Sequence, residues 1–177
     1  MKKILALILT LTLLAAAGLA CAEEKTDWTL AKIADTHEIV LNMDTPVHVG
    51  FMDDMPEGTV YARATREGCA NVYIIITPSD VSDGISMNDL DEEGLALFKS
   101  LCGAQYLMPV ITERTTPAGN LFIEVCSNEE SDIDSFITLF EGYLIQIDYY
   151  HPDFSELTEA DHAFAEDILY GIWVNEL

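Results

Sequence analysis

The 177-residue chain sets 31 Asp and Glu against 8 Lys and Arg, a formal charge of −23 at pH 7. That balance excludes nucleic acid, whose phosphates need clustered Lys and Arg. It also disfavours anionic membrane surfaces, since like charges repel within a Debye length of about 8 Å at physiological salt. Cationic peptides, basic protein patches and divalent cations remain open as partners.

Lys2 and Lys3 open the chain, residues 4–22 run without a charge, and Glu23-Glu24 follow. A basic start, an apolar run and small residues at its end are the layout of a bacterial secretory signal. Ala20-Cys21-Ala22 fits small-x-small cleavage before Glu23. Cys21 also stands where a lipoprotein is lipidated, although Gly18 sits where that motif prefers Leu. As a third outcome, the apolar run nearly reaches across a bilayer as an uncleaved anchor. All three leave the remainder secreted or held outside the cytoplasm, with membrane contact only through the signal segment or a lipidated Cys21. No later segment is long and apolar enough to span a bilayer as a helix. The organisation expected is a signal peptide over 1–22 and a single α+β domain over 23–177, a size that buries about 68–70% of its unfolded surface. Without Lys2 and Lys3 the formal charge is −25, and Lys25, Lys32, Arg63, Arg66, Lys99 and Arg114 are scattered.

Residues 26–34 fit either a short helix or an extended lead-in. His37–Met43 reads as a strand, residues 47–52 as a second, and the Asp/Pro/Gly-rich residues 53–58 as a loop. Residues 60–65 and 71–77 flank Arg66-Glu67-Gly68 as a hairpin. Ser86 and Asp89 have the spacing of a capping box, predicting a helix over 88–102 that leaves at Gly103. Residues 110–115 and 121–126 are strands about the turn Thr116-Pro117-Ala118-Gly119-Asn120.

Residues 135–149 form the clearest unit. With Glu141-Gly142 as a two-residue loop, Phe140 pairs with Tyr143, Thr138 with Ile145 and Phe136 with Ile147. One face then carries Phe136, Phe140, Tyr143, Ile145, Ile147 and Tyr149; the other carries Ser135, Ile137, Leu139, Leu144, Gln146 and Asp148. A one-residue slip would bury Gln146 and Asp148, so the first face is the core. The last helix, over 159–173, is capped by Thr158 with Asp161. Ala160, Phe164, Ala165, Ile168, Leu169 and Ile172 fall on one side of it, and His162, Glu166, Asp167 and Tyr170 on the other. The fold class is therefore α+β, a single antiparallel sheet of six or seven strands packed with helices.

With Cys21 processed, Cys69, Cys102 and Cys126 remain, which permits one disulfide and a thiol, or three buried thiols. Cys102 follows Leu95 and Phe98 at the spacing of a helix core face, and a Cys102–Cys126 bridge stays open. Asp89 to Gly94 opens like an EF-hand loop, but Ser100 stands where a bidentate Glu is needed; acids at a helix start explain it better. Residues 128–134 (NEESDID) pack four carboxylates into seven residues and are the candidate calcium loop, with Asp53, Asp54 and Glu57 a weaker one. Among His37, His48, His151 and His162 none stands in H-E-x-x-H, and no G-x-S-x-G, P-loop or G-x-G-x-x-G occurs. A dyad of Cys69 with His37 or His48 has no feature in its favour beyond the presence of both residue types. Tyr143, Tyr149 and Tyr150 suggest a ligand platform, yet alternation sends the first two to the core and Tyr150 to the opposite face, beside Asp148. No catalytic or cofactor-binding residue is assigned, and the metal ligands stay unassigned.

A meander of strands, the hairpin Thr138-Leu139-Phe140-Glu141-Gly142-Tyr143 and a closing helix ending Ile168-Leu169-Tyr170-Gly171-Ile172-Trp173 together resemble uncharacterised exported bacterial proteins. They are also similar to the PsbP-like α/β/α sandwich, over about residues 86–175. The resemblance implies a small accessory or binding protein, not an enzyme, and carries no site motif. The function expected is a non-enzymatic accessory or binding protein of the bacterial envelope, whose acidic surface either keeps it soluble outside the cell or contacts a basic protein or peptide partner. The alternatives are a calcium-responsive module using the 128–134 loop and a small extracytoplasmic hydrolase or thiol enzyme.

Overall fold

The computed structural model of the protein describes residues 26–33, 36–44, 46–50, 56–79, 84–104, 106, 108–127 and 133–177. The signal-like residues 1–22 with Cys21, the acids Asp53 and Asp54, and residues 128–132 of the candidate calcium loop lie outside it. Ten strands are described: β1 (Thr26–Ile33), β2 (His37–Met43), β3 (Val47–Gly50), β4 (Val60–Ala64), β5 (Asn71–Pro78), β6 (Pro109–Thr115), β7 (Leu121–Ser127), β8 (Asp134–Phe140), β9 (Tyr143–Tyr150) and β10 (Ile172–Glu176). Two α-helices join them, α1 (Glu92–Gly103) and α2 (Glu159–Gly171).

Seven strands form one antiparallel sheet in the order β3-β4-β5-β9-β8-β7-β6, in accord with the α+β expectation. A second sheet, β1-β2-β10, joins it and was not expected. Residues 26–33 resist assignment by pattern because the register with β2 shifts between Thr29 and Ala31. That bulge lets Leu30 and Ala31 both be buried, which breaks the alternation a strand normally shows. The last helix ends two residues earlier than its apolar stripe suggests. A Cβ on Gly171 would lie 2.6 Å from the Asn42 carbonyl oxygen, so the chain passes β2 only as glycine. Ile172, Trp173 and Val174 then pair with Leu41, Val40 and Ile39 as a strand.

The helix expected over 88–102 also starts later. Ser86 and Asp89 do form a capping box, but it closes on a 3-10 turn, Met87–Asp89, and Leu90 is extended. α1 begins beyond it with Asp91 as its cap, the carboxylate accepting from Gly94 N–H at 2.8 Å. Asp89 and Asp91 are thus spent on backbone donors.

The β8–β9 hairpin has the expected register, with Phe140 opposite Tyr143, Thr138 opposite Ile145 and Phe136 opposite Ile147. Glu141 (φ 46°) and Gly142 (φ 82°) both take positive φ, as a type I′ turn requires. Phe136, Ile145, Ile147 and Tyr149 join the main core, where the small sheet and α2 cover the large sheet through Ile39, Leu41, Phe164 and Ile168. The opposite face is not left to solvent. Cys102 and Met87 bury Ile123, Val125 and Ile137 in a second core beneath α1. α1 sits over β6 and β7. The face beyond it, on β4, β5 and β9, stays half-exposed.

Candidate functional site

Antiparallel pairing sets Tyr73 of β5 opposite Asp148 of β9, and Tyr61 of β4 opposite Ile75 of β5. Alternation then puts Tyr61, Tyr73, Asp148 and Tyr150 on one face, the α1 side of the sheet. The rings form a row, with centroids 5.7 Å apart for Tyr61 and Tyr73 and 4.7 Å apart for Tyr73 and Tyr150. Phe154 extends it, stacked on Tyr150 at 5.5 Å with the planes 2° from parallel.

Phe154 holds this position against its own backbone preference. Its φ is +54°, in the left-handed region, which costs a bulky residue about 1–3 kcal/mol. The turn is closed by Phe154 N–H donating to the His151 carbonyl at 2.9 Å. Even so, the residue is 53% exposed, so core burial does not explain the strain.

Beside the row stands Asp148. Its Oδ1 accepts from the Ser135 hydroxyl at 2.5 Å, and Gln146 Nε2 lies 2.8 Å from Oδ1 and 2.9 Å from Oδ2. Ser135 Oγ in turn shares a hydrogen bond with the Tyr106 hydroxyl. Burial pushes the Asp148 carboxyl above its ordinary pKa, and the hydrogen bonds from Ser135 and Gln146 only partly oppose it. Burial, then a hydrogen bond with Tyr73 and the neighbouring Tyr73, Tyr61 and Asp148 groups, pushes Tyr150 up to about 12. Asp148 is thus one carboxyl beside a row of aromatic rings, with Arg63 opposite Tyr73 on the same face.

A second polar cluster lies on the α2 side. His162 Nδ1 is 3.0 Å from the Tyr149 hydroxyl and 3.8 Å from Asp134 Oδ2. Cys126 borders it, and burial first, then the negative charge of Asp134 and Glu124, raise its thiol to about 12. Cys102, desolvated under α1, is raised to about 11. Both shifts run opposite to what a nucleophilic thiolate needs. Cys102 packs on the α1 face and Cys126 shares the α2 face with Glu124, so the sheet stands between them; Cys69, Cys102 and Cys126 are all free thiols. Cys69 Sγ donates to the Ala160 carbonyl at 3.8 Å, while His37 lies against Phe140 and His48 is exposed on β3, so neither meets Cys69.

His151 and Asp161 serve the fold. Asp161 accepts from Ala70 N–H at 2.5 Å and from the Thr158 hydroxyl and N–H at 2.7 Å each, and pairs with His151 Nε2 at 3.0 Å. Burial alone would raise its pKa, but these donors together outweigh it and bring Asp161 to about 2. A small cleft of about 50 Å³ between the sheets is lined by Ile39, Phe122, Phe140, Ile172 and Val174 with Thr138. The Thr138 hydroxyl is satisfied by the Leu121 carbonyl at 2.6 Å. The cleft is well below the roughly 300–1,000 Å³ of a ligand pocket. Among the described residues no group of three or more His, Cys, Asp or Glu could hold a metal ion. No described helix is long and apolar enough to cross a membrane.

Of the residues singled out from sequence, Tyr143 packs at the core margin, Tyr149 is buried, and Tyr150 lies beside Asp148, as alternation implied. Tyr61, Tyr73 and Phe154 were not legible as partners, because the β5–β9 pairing that joins them is long-range. No family model and no curated protein matches the chain. Among solved structures, the fold is similar to the solution structure of cyanobacterial PsbP (CyanoP) from Synechocystis sp. PCC 6803, at 15% identity over 89% of this chain and 96% of that chain, with a TM-score of 0.48.

Proposed function

We propose that the chain is an exported, non-enzymatic accessory or binding protein of the bacterial envelope, which meets a basic protein or peptide across the half-exposed end of its large sheet. The signal-like residues 1–22 support export. The observation that carries the binding reading is the aromatic row, with an exposed Phe154 held at its end in a strained backbone. Backbone strain is retained where the surroundings over-determine it, and it clusters at ligand clamps. Charge supports a basic partner. Arg66 is engaged by Asp44 and Asp167, Lys99 by Glu113, and Arg114 by Glu124 and Glu166, so these cations do little to offset the acidic surface.

The test is crosslinked capture of the tagged, processed chain from its native envelope at low and high salt. The expected result is one basic protein, recovered in near-equal amount at low salt, lost at high salt and lost with Phe154→Gly. Glycine relieves the left-handed backbone while removing the ring, so a fall in capture is not a fall in stability. Capture that ignores both salt and Phe154→Gly, or no specific partner at all, overturns the reading.

A further inference from the structure

Asp148 is a carboxylate without a countercharge. Its donors, Ser135 and Gln146, are both neutral, and among the described residues no ion pair reaches it. A carboxylate offers about four lone-pair sites. Ser135 and Gln146 fill three contacts, and Oδ2 keeps acceptor capacity. Gln146 turns its amide nitrogen to Asp148, which leaves its carbonyl oxygen as a further acceptor. The stacked rings of Tyr73 and Tyr150 stand on the same face, the Tyr73 hydroxyl accepting from Asn71 Nδ2 at 3.1 Å. The patch is therefore rich in acceptors, partly desolvated and bordered by rings. Charge of the opposite sign is what such a carboxylate lacks, since an unpaired buried charge is costly until a partner offsets it.

We propose that Asp148, Gln146 and the Tyr73–Tyr150 stack form a clamp for a single arginine side chain of the basic partner. The clamp rests on the basic-partner reading above and names its anchoring contact. A guanidinium suits it better than an ammonium ion. Its planar fork matches a carboxylate, it loses less on leaving water, and it lies flat against aromatic rings. Lysine brings a compact, strongly hydrated charge that uses neither the fork nor the rings.

The probe is a fluorescein-labelled nonapeptide of alternating arginine and serine, with lysine and glutamate counterparts, titrated into the processed chain at low salt. The arginine peptide is expected to bind at least ten-fold tighter than the lysine peptide, and the glutamate peptide not at all. Asp148→Asn should abolish most of the arginine preference. A variant-free readout accompanies it: the Gln146 side-chain amide resonances should move on titrating the wild-type chain with the arginine peptide and stay still with lysine. Equal arginine and lysine affinities, or an arginine preference untouched by Asp148→Asn with Gln146 unmoved, overturn the clamp. If the envelope capture still yields its salt-sensitive basic partner, the clamp alone has failed; if that capture fails as well, the basic-partner reading falls with it.

Discussion

A carboxylate held half-buried by a serine and a glutamine burdens the fold that carries it. Because burial raises the folded pKa of Asp148, the folded chain holds its proton to a higher pH than the unfolded chain does. The stability this group contributes is full below the ordinary aspartate value of about 3.9. It is lost as pH rises from there through the raised folded value. Above the folded value the ionised group is a net cost, and there Asp148→Asn should raise the melting temperature. That gain should stay constant above the folded pKa, shrink as pH falls towards about 4 and vanish below it. Thermal melts of both chains across that range measure it, and a variant less stable at pH 7 would contradict the desolvation argument. Asp161 shows the reverse arrangement. It is almost wholly buried, yet four donor contacts keep it ionised, and it stabilises the fold where Asp148 weakens it.

Elements carry the next level of constraint. The β8–β9 turn places Glu141 at φ 46°, where asparagine sits far more readily. Glu141→Asn should stabilise the chain by on the order of 0.5 kcal/mol, read as a rise in urea midpoint with an unchanged slope. This hairpin was legible from sequence because two strict alternations meet at a two-residue loop, and a slip would bury Gln146 and Asp148 together. The same rule fails at β1, where the bulge at Leu30 interrupts the alternation. It also fails at the end of α2. Ile172 continues the helical stripe, and only the approach of β2 to Gly171, invisible in a local window, turns the chain into a strand. α1 shows a milder version: the capping box at Ser86 is present, but a stronger cap at Asp91 sets the helix start. For the candidate site, alternation located Tyr150 and Asp148 together. Tyr61 and Tyr73 needed the β4–β5–β9 pairing, and Phe154 needed a turn conformation that no residue type announces.

At the scale of the whole molecule, charge and layering act together. An excess of carboxylates repels itself in the compact state more than in the extended chain. Raising sodium chloride from about 0.02 to 0.3 M shortens the Debye length and should raise the melting temperature while weakening partner capture. A melt that falls with salt would show that the few ion pairs, such as Arg66 with Asp167, outweigh the net repulsion. The layers also differ in what they enclose. The α2 side is sealed by the small sheet, whereas the α1 side is sealed only over β6, β7 and part of β8. The small sheet has a consequence for assembly. β2 lies between β1 and β10, and residues 172–176 pair with residues 37–41 across nearly the whole chain. A chain that emerges from the ribosome with its amino end leading presents β2 long before β10 exists to meet it. The β1–β2 ribbon must therefore wait as an open-edged hairpin while the large sheet is made, and closure becomes the final event of folding.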